Sequence, residues 1–474
     1  MVFSASLFLF GFFPLFFAAY YLVPNKLKNT VVIMGSLFFY AWGAKSFVIV
    51  VLGTLFIDWL LGNIIASKRA EQYHTVRICI IVDVVMNIGL LLYFKYFNFF
   101  ADNINFIFQS FGINPFSYTN VLLPIGVSFV IFQKVTYCID IARGNAKPAK
   151  NFFHLVEYLL VFPQIIAGPI VKYNEIAEQI ISRELTWEKF TQGFSRFAIG
   201  LFKKVWIADT LAKYADNVFS MGSVMPWDYA WIGIVCYTFQ IFFDFAAYSD
   251  MAIGLLSMMG FTIGENFNMP YISKSVTEFW KRWHISLTSW FREYLYFPLG
   301  GNRKGKIRTY VNQWVVFLVS GFWHGASWNF ILWGAYHGTI ICAEKAFILK
   351  HVEKIPKIFR WLVTMLLVMI GWVFFRADTI VAGWEYVKNM FDFTDYYVHI
   401  NPSNIMVIDL RGYVMLALAA IISFFPLLGR TYDTVSSFMR SHKSIVAVMS
   451  FILFVLASLK IITAQFSPFI YFRF

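Results

Sequence analysis

The chain has 474 residues, of which 59% are hydrophobic, 20% aromatic and only 14% charged, with a mean hydropathy of +0.64. A soluble domain needs about 25% charged residues to cover its surface, so the composition argues against a soluble enzyme and excludes a disordered, collagen-like or disulfide-stapled chain. The 39 Lys+Arg against 26 Asp+Glu leave a net charge of +13, which in a lipid-solvated chain is first the mark of basic cytoplasmic loops.

The first 22 residues are apolar and Phe-rich, with no basic leader and no small-residue cleavage site, which predicts a retained first span rather than a removed signal peptide. Lys26 and Lys28 follow it and favour a cytoplasmic first loop. Further apolar stretches run through 30–42, 46–66, 77–94, 120–142, 153–171, 193–211, 228–260, 311–347, 358–375, 411–428 and 444–465. At about 20 residues per span they predict roughly 9–12 crossings. Pro163, Gly168-Pro169, Gly254, Gly260, Gly321 and Gly325 interrupt them. Broken helices are tolerated at membrane depth only where protein or a water-filled cavity covers the freed backbone. The expected fold is therefore an all-α polytopic membrane bundle, one domain over 1–474, with no internal repeat. Cys79, Cys138, Cys236 and Cys342 are scattered through apolar sequence without a CxxC pair and read as small hydrophobes.

Two polar sets sit in apolar surroundings. Gln133, Tyr137 and Asp140 are spaced to share one helix face, and Asp244, Tyr248 and Asp250 interrupt FFDFAAYSDMAIG. Buried acids in membranes pair with cations or backbone groups, so hydrogen bonding within the bundle is the first reading and a proton relay the second.

The segment 274–308 is the most basic. Lys274, Lys281, Arg282, Arg292, Arg303, Lys304, Lys306 and Arg308 stand against Glu278 and Glu293, an excess of six that marks it as cytoplasmic. Within it, Trp280, Trp283, Leu287, Trp290, Phe291 and Tyr294 fall on one stripe of a helix over 278–297, with the charges opposite and His284 at the stripe's edge. This predicts an interfacial amphipathic helix, serving either as a lipid anchor or as a basic mouth for an anionic substrate such as a CoA thioester. PLGGNRKGKI follows. Its Gly300–Lys306 fits GxxxxGK, but Ile307 replaces the Ser/Thr that would hold Mg²⁺ and no strand precedes it. A basic, Gly-rich turn is the better description.

NQWVVFLVSGFWHGASWNFILWGAYHG comes next. One helix from Asn312 to Leu349 would be about 55 Å long, nearly twice a bilayer core, so it must break, and Gly321 and Gly325 bracket His324. His324 lies about 18 Å along from Asn312, near mid-bilayer, where a histidine is costly unless buried and paired. It is the first candidate for chemistry. His337 would lie about 20 Å further on and on another face if the helix were continuous, which suits a supporting role. Neither histidine belongs to a metal-binding spacing such as HExxH.

These motifs resemble those of the membrane-bound O-acyltransferase family, within its alginate and polysaccharide O-acetyltransferase branch. The similarity runs from MVFSASLFLFGFFP and SLFFYAWG through QKVTYCIDIARG, FPQIIAGPI, FFDFAAYSDMAIGL, NFNMPY, EFWKRWHISLTSWFREYLYFPLGG and FWHGASWNFILWGAYHG to PFIYFRF. One helix departs from the pattern, with Ala142 where a second aromatic is expected before Arg143. The resemblance implies broken and re-entrant helices around a central tunnel in a bacterial cytoplasmic membrane. It places the family's histidine on His324 as catalytic base, and a second position on His284. His337, Asn329, Asp244, Gln133 and Tyr137 become supporting tunnel residues. Lys281, Arg282, Arg292, Arg303, Lys304 and Lys306 become contacts for the donor, acetyl-CoA, which is a substrate; no bound cofactor or metal is implied. The acceptor would be an exopolysaccharide or peptidoglycan hydroxyl, reached directly or through an extracytoplasmic partner resembling SGNH hydrolases. A teichoic-acid D-alanyl transferase using a carrier thioester and a non-enzymatic transporter stand as alternatives.

Overall fold

The computed structural model describes residues 1–69, 72–222, 225–348, 351, 354–394, 408–463 and 469–470. Among them the regular structure is helical throughout. A π-helical turn, Phe8–Phe12, leads into α1, Phe13–Leu22, followed by α2, Lys28–Ala44, α3, Phe47–Lys68, α4, Tyr73–Leu91, and α5, Phe97–Ser110. Then come α6, Val127–Arg143, α7, Phe152–Leu160, α8, Tyr173–Ile181, α9, Trp187–Phe202, α10, Asp209–Phe219, and α11, Trp227–Met258. Two short helices, α12, Val276–Arg282, and α13, Ile285–Phe291, precede the pair α14, Gly305–His324, and α15, Trp328–Ala343. The chain continues through α16, Lys357–Arg376, α17, Ile380–Met390, α18, Leu410–Phe424, α19, Arg430–Ser441, and α20, Lys443–Thr463.

Six helices among the described residues are long and apolar enough to cross a bilayer: Phe47–Lys68, Tyr73–Ser110, Trp227–Met258, Lys357–Arg376, Leu410–Leu428 and Lys443–Thr463. The protein is a multi-pass membrane protein. Several of the other apolar stretches are short or broken. The stretch 153–171 is one of them. Its helix stops at Leu160, and residues 161–170 are buried without being helical. Side chains satisfy the backbone that this break frees: Phe162 N–H donates to Ser36 Oγ at 3.1 Å, Gln164 Nε2 to Tyr158 O at 2.6 Å, and Tyr158 Oη to Val171 O at 3.0 Å. Irregular backbone in an apolar setting needs such partners.

Two compact units emerge, Met1–Phe194 with Ala252–Gly264, and Ser195–Met251 with Glu265–Phe474. In the first, α3, α4 and α6 enclose a buried polar centre. Lys134 Nζ lies 3.3 Å from Asp58 Oδ2 and donates to Thr54 Oγ1 at 2.6 Å, while Asn87 Nδ2 bridges Asp58 and Asp83. Lys28, read from sequence as loop charge, is buried, donating to Tyr20 O at 3.0 Å with its ammonium over the Tyr20 ring. It caps a helix end and marks no free loop.

In the second unit α14 and α15 form a hairpin in which backbone meets backbone. A Cβ on Gly321 would stand 2.2 Å from Phe330 O, and one on Gly334 2.4 Å from Phe317 O. Gly321→Val should force the hairpin apart and cost about 1–3 kcal/mol or more, read as a lower Tm of the detergent-solubilised protein together with lost activity. Unchanged stability would show that the hairpin does not need this approach.

Candidate functional site

The hairpin turn is where the chemistry gathers. α14 begins at Gly305, inside the basic turn, and ends at His324, about 28 Å along its axis. Gly325 is extended, and α15 restarts at Trp328. The expected break is therefore present at Gly325, while Gly321 lies within α14, and it presents His324 at a helix end. His324 is 7% exposed and lies edge-on to Trp323, Trp333 and Phe375 at 4.9, 5.3 and 5.3 Å between ring centres. A cavity of about 20 Å³ opens beside it, lined by Ile241, Phe245, Trp283, His324, Trp333, Trp372, Phe375 and Ile470.

Reversal of the chain after His324 changes the place of His337. On a continuous helix it would stand a full 20 Å away; on the returning helix its ring packs 5.0 Å from Trp333, the same indole that His324 touches. Its hydrogen bond assigns the tautomer. Trp280 Nε1–H can only donate, so the His337 Nδ1 at 3.4 Å accepts and the proton sits on Nε2. That nitrogen faces Gly371, where a Cβ would approach to 2.7 Å.

His284 corrects the reading of 278–297 as one helix. The chain leaves α12 at Trp283 and enters α13 through His284 in the left-handed conformation, φ 45° and ψ 57°. A non-glycine residue there costs about 1 kcal/mol or more. The kink turns His284 inward, to 1% exposure, 4.7 Å from the Phe245 ring that lines the cavity. It also buries the aromatic stripe: Trp280, Trp283, Leu287, Trp290, Phe291 and Tyr294 are core residues of this unit rather than a lipid-facing anchor.

Asn266 holds His284. The Ser286 backbone N–H donates to Asn266 Oδ1 at 3.3 Å, which identifies that atom as the amide oxygen. His284 Nδ1, 3.1 Å from the same oxygen, must therefore carry its proton, leaving Nε2 as a lone pair with no partner among the described residues. Burial drives this imidazole down to about 3, so it stays neutral at physiological pH. His284 thus presents a fixed acceptor rather than a titrating base. Asn266→Ala should release that tautomer and slow turnover by about tenfold, less than the loss of a general base at about 10²- to 10⁴-fold because Asn266 acts through His284, with folding intact by size-exclusion profile. An unchanged rate would make the pairing structural only.

Asp244 and Asn329 act through the backbone. Asp244 Oδ1 pairs with Lys204 Nζ at 2.5 Å and its Oδ2 accepts the Ile470 N–H at 2.7 Å. Asn329 Nδ2 donates to Ala377 O, tying the start of α15 to the end of α16. Asp250 is held by Arg196 and Lys203 at 3.0 and 2.9 Å. Gln133 and Tyr137 belong to the first unit, where Tyr137 Oη accepts the Ala149 N–H at 3.2 Å. Both are buried, and the Gln133 amide nitrogen and oxygen have no hydrogen-bond partner among the described residues.

Lys281, Arg292, Arg303, Lys304 and Lys306 are exposed. Arg282 is half-buried and paired with Glu278 at 3.0 Å, and Arg292 lies 3.9 Å from Glu293. Lys281, Arg303, Lys304 and Lys306 have no ion pair among the described residues. Asn312 Nδ2 donates to Leu299 O and Gly301 O, fixing the basic turn to the helix that ends at His324.

The sequence pattern marks no role for Trp333, Asn266 or Ile470. An Asn between α11 and α12 and an isoleucine near the C-terminus carry no periodic signal. Only their contacts identify them.

A family model, described as MBOAT, membrane-bound O-acyltransferase family, matches residues 146–377. A probable alginate O-acetylase of Azotobacter vinelandii is 39% identical over the full length of both chains. A probable alginate O-acetylase of Pseudomonas aeruginosa is 41% identical, covering 90% of this chain and 82% of its own. A peptidoglycan O-acetyltransferase of Helicobacter pylori is 34% identical, covering 82% of this chain and 80% of its own.

Proposed function

Because the chain belongs to the membrane-bound O-acyltransferase family and is an O-acyltransferase, we propose that it moves acetyl groups from cytoplasmic acetyl-CoA to hydroxyls of an extracytoplasmic polysaccharide, with His324 as the base. The observation that carries this reading is His324 itself, buried at the break of a helix hairpin and lining a small cavity. The names of the relatives, alginate O-acetylase and peptidoglycan O-acetyltransferase, supply the acceptor class. The same proposal places the chain in a bacterial cytoplasmic membrane and gives it an extracytoplasmic SGNH-hydrolase-like partner that completes the transfer.

In the proposed step the acceptor oxygen attacks the thioester carbonyl. The C–O ester bond forms as the C–S bond breaks, and the acceptor proton passes through the His324 imidazole to the departing thiolate. The products are an acetyl ester and free CoA thiol. A neutral imidazole suits both halves, since it takes a proton from one atom and returns it to another near neutral pH. His284, fixed by Asn266 and neutral, orients groups around it.

The donor phosphates are assigned to the exposed cations around the basic turn. Phosphate contacts by Arg forks and Lys point charges need no burial to be effective. Neutralising three of them, Arg303→Gln, Lys304→Gln and Lys306→Gln together, should raise KM for acetyl-CoA about tenfold at about 0.5 kcal/mol each, with kcat retained and the effect fading at high salt. A fall in kcat alone would place the donor elsewhere. The donor itself is tested with purified protein in proteoliposomes, comparing acetyl-CoA with a D-alanyl carrier thioester. Turnover of the carrier thioester alone would overturn the acetyl-CoA assignment.

A further inference from the structure

The cavity beside His324 is small and unevenly lined. Its volume, about 20 Å³, exceeds the roughly 10–15 Å³ that a single water needs and leaves room only for a small group. Two walls are aliphatic, Ile241 from α11 and Ile470 from the C-terminal segment. Ile470 packs in the buried core of this unit and is anchored by its N–H, which donates to Asp244 Oδ2 at 2.7 Å. Lys204 reinforces that anchor, 2.5 Å from Asp244 Oδ1 with its ammonium 4.5 Å from the Phe469 ring centre. Another wall is the Trp333 indole, whose buried Nε1–H finds no acceptor among the described residues. Buried donors are nearly always paired, so an orphan on a cavity wall points to a ligand acceptor.

We infer that this cavity receives the acyl group, with the Trp333 N–H on the carbonyl oxygen and Ile470, positioned by Asp244, limiting the chain to two carbons. An acetyl group has one carbonyl oxygen, with two lone pairs, and one methyl, which suits a wall carrying the unpaired indole N–H of Trp333, with that of Trp372 also on the lining, and a short aliphatic wall. Each further methylene would press on Ile241 and Ile470, and one misfitted methylene in an apolar pocket is worth roughly 10- to 200-fold in selectivity. Ile470 is thereby a specificity residue, and Asp244 a positioning residue that acts through it. The inference rests on the thioester reading of His324 given above.

The test follows CoA release by the purified full chain in proteoliposomes, supplied with acceptor oligosaccharide and acetyl-, propionyl- or butyryl-CoA. Wild type is expected to favour acetyl over butyryl at least a hundredfold. Ile470→Ala should raise the butyryl-to-acetyl ratio tenfold or more, and Ile470→Val, which disturbs packing far less, should raise the propionyl-to-acetyl ratio. Asp244→Leu should shift the ratio the same way, whereas Asp244→Asn, which keeps an acceptor oxygen for the Ile470 N–H, should restore it. Trp333→Phe should lower kcat for every donor at least tenfold without moving the ratio. Ratios unchanged in both Ile470 variants that still turn over acetyl-CoA would overturn the size limit, and an unchanged kcat in Trp333→Phe would overturn the role of the indole. Failure of wild type to turn over any of the three thioesters would instead overturn the donor reading, and this inference with it.

Discussion

His324→Ala is expected to lower acetyl-ester formation by about 10³-fold or more, while the protein still inserts and elutes as wild type. A positioned general base contributes about 10²- to 10⁴-fold, and His324 is the cavity-lining side chain best suited to carry a proton. The others on that wall are Ile, Phe and Trp. Removing the imidazole leaves the edge-on contact of Trp333 with Phe375, 5.2 Å between ring centres, in place. The measurement is base-labile acetate on the polymer in cells, paired with CoA release from purified protein. His337→Leu provides the contrast. It removes the acceptor for Trp280 Nε1–H and should lower stability more than it lowers the rate of the folded fraction. Wild-type ester levels in His324→Ala would sink the assignment of the base.

Lys204→Met is expected to destabilise the second unit by about 3–5 kcal/mol, the cost of breaking a buried ion pair from one side. The ammonium is 1% exposed and lies 2.8 Å from Asp209 and 2.5 Å from Asp244. Without it, Asp244 keeps only the Ile470 N–H and a stranded charge. The double variant Lys204→Met with Asp244→Asn removes that charge along with its partner and should recover much of the loss, a coupling that a double-mutant cycle reads directly. Thermal unfolding in detergent measures it. A double variant no more stable than the single one would mean that the lysine acts through its packing and not through its charge.

Much of this protein was legible as one-dimensional pattern. Composition alone assigned it to the membrane, because too few charges exist to cover a water-exposed surface. The break between Gly321 and Gly325 followed from length, since an unbroken helix through 312–349 could not fit a bilayer. The cationic turn followed from charge counting, and its exposure in the structure agrees. Motif likeness carried the family, which full-length identity to the Azotobacter relative establishes.

What remained hidden depended on where the chain reverses. Helical periodicity assumes a continuous axis, so it drew 278–297 as one surface helix and put His337 far from His324. A single left-handed residue at His284 and a three-residue turn after His324 undo both. Those turns bring His284, His324 and His337 into one aromatic cluster, through Phe245, Trp323 and Trp333. Sequence by itself determined the solvent, the helical class, the cationic turn and the histidine to watch, because each is a property of local composition or spacing. Only the tertiary structure decided which tautomer His284 holds and which tail residue closes the cavity. Those are set by contacts between segments distant in the chain, such as the bond from Ile470 to Asp244, which no local pattern encodes.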